Sequence, residues 1–208
     1  MSWPFKRWMA RRLERALTTS TTIRGIPVIV QNTRPDISTE DVLRRLDESL
    51  GLIERYAAHH FRRLRRDFAR IVVQRYACRG AYLPDQRTCL VELTFTVNRD
   101  FSASQVAATI LHEAMHARLH RMGFLLGMRD RARQERFCRR AEIEFGLAVP
   151  DGAPIVERAM ATLQATDEEV APDIDPTLAA HRVAQADLEA LRAPNWLKRA
   201  LARRQGPA

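Results

Sequence analysis

Thr109-Ile110-Leu111-His112-Glu113-Ala114-Met115-His116-Ala117 sets two histidines four positions apart, with a glutamate beside the first. On an α-helix, positions i and i+4 share a face, so both imidazoles can turn toward one metal ion. Glu113 lies about 100° round the helix from His112, near enough to reach a water on such an ion without ligating it. The spacing suits zinc-assisted hydrolysis. The neighbours fit a helix buried in the middle of a domain, because after Glu113 the next charge is Arg118. Ser102 as N-cap with Gln105 at N3 reads as a capping box that opens the helix, and Gly123 closes it.

A catalytic zinc site takes three protein ligands and keeps a fourth position for water, so another donor is needed. His120 continues the four-residue series, but it lies about 12 Å along the axis from His112 and has rotated off the face. His59 and His60 fall in an arginine-rich helical stretch and read as partly exposed. Downstream, the segment from Arg131 to Gly146 is a second helix whose apolar positions Phe137, Cys138, Ala141 and Phe145 mark its buried side. Glu135 and Glu142 flank that side one heptad apart. A carboxylate on a buried face needs a partner, and zinc would be one. Glu144 points away, toward solvent.

These residues resemble the zincin metallopeptidases, and within them the gluzincins, where a glutamate on the helix after the HExxH helix completes the site. The layout is similar to bacterial minimal-gluzincin proteins, over about residues 38 to 148. The resemblance implies one Zn2+ per chain, held by His112, His116 and Glu135, with Glu113 as general base. It leaves Glu142 either as support behind a ligand or as the competing ligand. The second helix lacks an Asn-Glu-x-x-x-Asp pattern, and no motif marks an oxyanion donor, for which Tyr82 and His120 are the candidates.

The remaining chain predicts a small α+β fold. From Ser38, with Asp41 at N3, apolar residues from Val42 to Leu64 recur at helical spacing and predict one long amphipathic helix. Ile26–Gln31, Arg70–Tyr76 and Thr88–Val97 are rich in β-branched residues and predict the strands of a mostly antiparallel sheet. Gly80-Ala81-Tyr82-Leu83-Pro84, or the strand after it, offers an edge for an extended peptide. Helices are expected over Ala153–Gln164 and Pro176–Ala193. The expected organisation is a basic amphipathic segment over 1–24, a zincin-like core over 25–150 and a helical extension over 151–208.

Lys and Arg total 34 against 25 Asp and Glu, a net charge of +9, and only Lys6 and Lys198 are lysines. The basic terminal segments, with Trp3, Trp8 and Trp196, suit peripheral contact with an anionic membrane. No nucleic-acid-binding signature accompanies the charge, so no specific nucleic acid is expected. No apolar run reaches the ~18 residues of a membrane span, and the N-terminus lacks a secretory core. Three cysteines, Cys78, Cys89 and Cys138, form no CxxC pair and fit reduced thiols in a cytoplasm. The expectation is a zinc metallopeptidase acting on peptides or proteins. Its alternatives are a zinc-binding regulator without turnover, or a basic membrane- or nucleic-acid-associated protein whose HExxH is accidental.

Overall fold

The computed structural model describes residues 18–124, 130–170 and 176–190, with Arg192, Pro194 and Asn195. The chain is α+β. Strands β1 (Thr18–Ile23), β2 (Ile26–Gln31), β3 (Arg70–Gln74), β4 (Gly80–Leu83) and β5 (Thr88–Glu92) form one sheet in the order β1-β2-β3-β5-β4. The helices are α1 (Thr39–Tyr56), α2 (Ala58–Asp67), α3 (Leu93–Val97), α4 (Ala103–Arg121), α5 (Arg131–Ala148), α6 (Ala153–Gln164), α7 (Asp167–Val170) and α8 (Pro176–Ala190).

The sheet is mixed rather than mostly antiparallel. β2, β3 and β5 run parallel at its centre, while β1 and β4 join antiparallel at the two edges. The centre is parallel because α1 and α2 carry the chain back to the end from which β2 started. β5 is buried at every position, as a central parallel strand covered on both faces should be.

β1 falls inside the stretch expected to be a basic amphipathic segment. Its sequence, Thr-Thr-Ser-Thr-Thr-Ile, is rich in β-branched residues but too polar to show an apolar alternation. Arg24 and Gly25, with φ of 48° and 78°, form the two-residue turn into β2. Positive φ at both central positions matches the right-handed twist of the flanking strands. Residues 1–17 and 196–208, which include the basic terminal segments, lie outside the described residues.

Two further expectations change. The long helix breaks at Ala57, where φ −140° and ψ 49° leave the helical region, so that α1 and α2 can both turn onto α4. A straight helix of that length would run about 39 Å and leave the core. The strand expected over Thr88–Val97 ends at Glu92, and Leu93–Val97 is helical despite its β-branched residues. Glu92 causes the switch: its carboxylate accepts from the backbone N–H of Phe95 at 2.6 Å and the hydroxyl of Thr94 at 2.7 Å, capping α3.

α4 is the centre of the molecule. It packs on β4 and β5 and against α1, α2 and α5, and is buried on nearly every side between Ser104 and Leu119. Its start carries the full capping box, Gln105 N–H to Ser102 Oγ at 3.4 Å and Ser102 N–H to Gln105 Oε1 at 2.9 Å. Its end is a Schellman turn: Gly123, with φ 86°, donates to the His120 carbonyl, and Phe124 donates to that of Leu119. α1 is capped as expected, Asp41 N–H donating to Ser38 Oγ. No helix among the described residues is long and apolar enough to cross a membrane.

Beyond α5, α6 packs back on it where Gly146 meets Gly152, and Asp187 of α8 accepts from Arg75 at 2.7 Å. The expected extension is thus held to the core by an ion pair. A Cβ at Gly152 would collide with the Gly146 carbonyl, a backbone group that cannot yield. Gly152→Ala should therefore cost about 2–3 kcal/mol, toward the upper end for overpacking, read as a fall in the denaturant midpoint. A change below about 0.5 kcal/mol would show that the two helices do not meet there.

Candidate functional site

His112 and His116 sit one turn apart on α4, with their Nε2 atoms 3.2 Å apart. Glu135, in the first turns of α5, brings Oε2 to 3.1 Å from His112 Nε2 and Oε1 to 3.3 Å from His116 Nε2. Glu142 lies two turns further along α5, on the other side of the His112 ring, with Oε1 2.7 Å from Nδ1. Arg139 and Arg158 hold the same carboxylate at 2.6 and 2.9 Å. Glu135 and Glu142 thus both face His112, but from opposite ring nitrogens.

Burial works against the charge on Glu142, yet the His112 hydrogen bond and the two guanidiniums outweigh it and hold the carboxyl below its usual range. An ionised Glu142 accepts a hydrogen bond from Nδ1–H of His112, so a neutral His112 keeps its Nε2 lone pair facing Glu135 and His116. The two Nε2 atoms and the Glu135 carboxylate converge on one place, and a cation between them would satisfy all three. Donors around a tetrahedral ion at about 2.0–2.1 Å sit roughly 3.3 Å from one another. The observed separations fit that spacing, so the cluster can hold a metal ion.

Without an ion, a proton must do this work. Burial alone would push the His112 imidazole down, but hydrogen bonds to Glu135 and Glu142 overcome it and push the pKa up to about 10. Glu135 is raised by burial and lowered more strongly by His112 and His116, which hold it far below the carboxylate range.

Cys138, one turn past Glu135, brings Sγ within 4.8 Å of donor atoms on the same two histidines. Burial drives its thiol well up, and the nearby carboxylates add to that. Glu135, with oxygens 3.1 and 3.3 Å from the two Nε2 atoms, already stands at ligand spacing and is taken as the third donor. Cys89 is also buried, Cys78 is exposed, and all three thiols are free.

Glu113 is buried and lines, with the histidines, an open cavity of about 680 Å³. Burial pushes its carboxyl up, although His112 and His116 pull the other way. β4 forms the facing wall and is the edge strand expected from the sequence. It comes so close at Gly80 that a Cβ there would lie 2.7 Å from the Thr109 methyl and 3.0 Å from Glu113 Oε1. A glycine at the entry to β4 leaves room for this close approach.

Tyr82 also lines the cavity, but its ring packs along Phe68 and its hydroxyl meets His120 Nδ1 at 3.4 Å. Tyr76, passed over in the sequence as a strand end, lines the cavity as well. Burial raises its phenol pKa, with the nearby Cys78 and Glu113 adding to the effect, so it stays protonated. His59 is exposed and His60 buried; both face exposed Glu144 across 3.8 Å, away from the cavity.

Comparison of the chain with protein-family models, with curated proteins and with solved structures finds no match.

Two outcomes test this geometry. His112 is raised above 6.5, so in metal-free protein its contribution is complete below about pH 6.5 and is lost as pH rises through about 10. Glu135 is lowered, so its contribution is present above about pH 4.5 and is lost in stronger acid. The melting temperature of chelator-treated protein should accordingly fall between pH 6.5 and 10, and that slope should flatten in His112→Gln. Gly80→Ala should leave the melting temperature within a few degrees but displace Glu113 in a crystal structure. An undisplaced carboxylate would show that β4 has room to spare.

Proposed function

We propose that the chain is a zinc-dependent metallopeptidase of the gluzincin kind, with His112, His116 and Glu135 as ligands and Glu113 as general base. The observation that carries this is the convergence of two imidazole nitrogens and a carboxylate at the spacing of ligands around one ion, backed by Glu142 on Nδ1 of His112. A carboxylate behind a ligating histidine fixes its tautomer and raises its basicity. The resemblance of the His112–His116 helix and the following glutamate helix to the gluzincins supports the same reading.

Zinc bound there would supply Lewis acidity for the scissile carbonyl and lower the pKa of its water toward about 7. The chain's own residues handle the protons. Glu113, its pKa raised by burial, takes a proton from the attacking water and returns it to the leaving amine. Tyr76, protonated beside Glu113, is better placed than Tyr82 or His120 to donate to the developing oxyanion, because those two spend their hydrogen bond on each other. The exposed edge of β4 lets an extended peptide align along the cavity by backbone hydrogen bonds.

Elemental analysis of desalted protein should find close to one zinc per chain, lost in His116→Ala and in Glu135→Ala. Glu113→Gln should keep the metal while hydrolysis of a peptide library falls by about 10²–10⁴. Glu142→Gln should weaken zinc affinity by about 10–100-fold. Zinc without turnover in the unmutated protein would favour a non-proteolytic regulator. No zinc after reconstitution would remove the proposal.

A further inference from the structure

We infer that the cavity carries a carboxylate-binding subsite built on Arg79, with Arg131 also on its lining, so that the peptide it accepts presents a carboxylate group there. The inference rests on the peptidase reading for its substrate, but its observations are separate. Four arginines line the cavity against three glutamates. Those glutamates are already engaged: Glu135 faces the two imidazoles, Glu142 is shared by His112, Arg139 and Arg158, and Glu113 is pressed under β4. A dication among them would make the wall more positive still.

Arg79 is the guanidinium left over. It lies over the rings of Phe101 and Phe95, 4.3 and 5.2 Å from their centroids, and its backbone carbonyl accepts from Glu92 N–H at 2.9 Å. Stacking uses the face of the guanidinium and leaves its N–H edge free, so the fork is held in place without its donors being consumed. Among the described residues no acceptor meets that edge, and none meets the side chain of Arg131 at the start of α5. Burial pushes the Arg79 pKa down, and the positive charges of Arg158 and Arg139 push it further. Like charges gathered in a partly buried wall repel one another, and an incoming anion relieves that repulsion. The planar fork matches a carboxylate through two parallel hydrogen bonds.

The carboxylate can come from an acidic side chain or from a peptide's C-terminus, and binding assays separate the two. Full-length Glu113→Gln protein, unable to turn over, is titrated against fluorescein-labelled decapeptides. These differ only in a central Glu or Gln and in a free or amidated C-terminus. The carboxylate peptides should bind about tenfold tighter than the uncharged ones, a typical factor for a charge-assisted pair. An advantage in the Glu series assigns the side chain, and one in the free-acid series assigns the terminus.

Arg79→Gln in that background should bring the ratio to within about twofold. Arg131→Gln, which leaves the aromatic stack alone, should reduce it and serves if the Arg79 variant fails to fold. Arg44→Gln, on an exposed face of α1, should leave it unchanged. Equal binding of all peptides, a preference that survives Arg79→Gln, or one that falls as much with Arg44→Gln as with Arg79→Gln, overturns the subsite. Turnover assays on the unmutated protein keep the two ideas apart. Cleavage indifferent to carboxylates removes the subsite and leaves the peptidase, whereas selective binding without cleavage removes the peptidase and leaves the subsite.

Discussion

The hydrogen bond between His112 Nδ1 and Glu142 governs the rest of the site. It decides which nitrogen of a buried imidazole keeps its lone pair, and so turns the Nε2 of His112 toward Glu135 and His116 as a donor. That bond holds only while Glu142 is ionised, and a fully buried carboxylate stays ionised only with partners. Arg139 comes from the preceding turn of α5. Arg158 comes from α6, which lies against α5 because Gly146 and Gly152 let the backbones touch. The chemistry on α4 is therefore set by a glycine contact two helices away.

Charge and packing oppose each other in this region. Placing Glu113, Glu135 and Glu142 in one cavity wall is unfavourable unless cations accompany them, and the molecule supplies arginines in excess of the carboxylates. The two without a carboxylate partner among the described residues are Arg79, just before β4, and Arg131, at the start of α5. The cavity is thus polar in an ordered way, with lone pairs converging at one place and N–H groups at another. A ligand carrying both an electrophilic carbonyl and a carboxylate would meet complementary groups at each.

The sequence made the centre legible because its signals are local. The HExxH spacing, the Ser102–Gln105 box and Gly123 all lie within one helix and depend on nothing else, and α4 follows them closely. Glu135 and Glu142 could be identified by the heptad that placed them on the buried side of α5. Which ring nitrogen each would face could not, because that depends on how α5 crosses α4. β1 was hidden because a threonine-rich edge strand buries little and shows no alternation. The break at Ala57 and the helix after Glu92 were hidden because tertiary packing and one capping carboxylate overrode propensity. Tyr76 and Arg79 both lie in the loop between β3 and β4, and only the fold brings them to the cavity.

The parallel centre of the sheet also sets the order in which the molecule can assemble. β1 and β2 meet through a two-residue turn and can pair early, whereas Val28 reaches Ile71 only after α1 and α2 have formed and folded back at Ala57. Closing so long a loop costs entropy before any strand contact repays it. β4 and β5 also form a local antiparallel pair, joined by residues 84–87, so β3 must seat between two hairpins. Seating β3 is consequently the step that joins the half of the sheet carrying the β1–β2 turn to the half carrying the cavity wall.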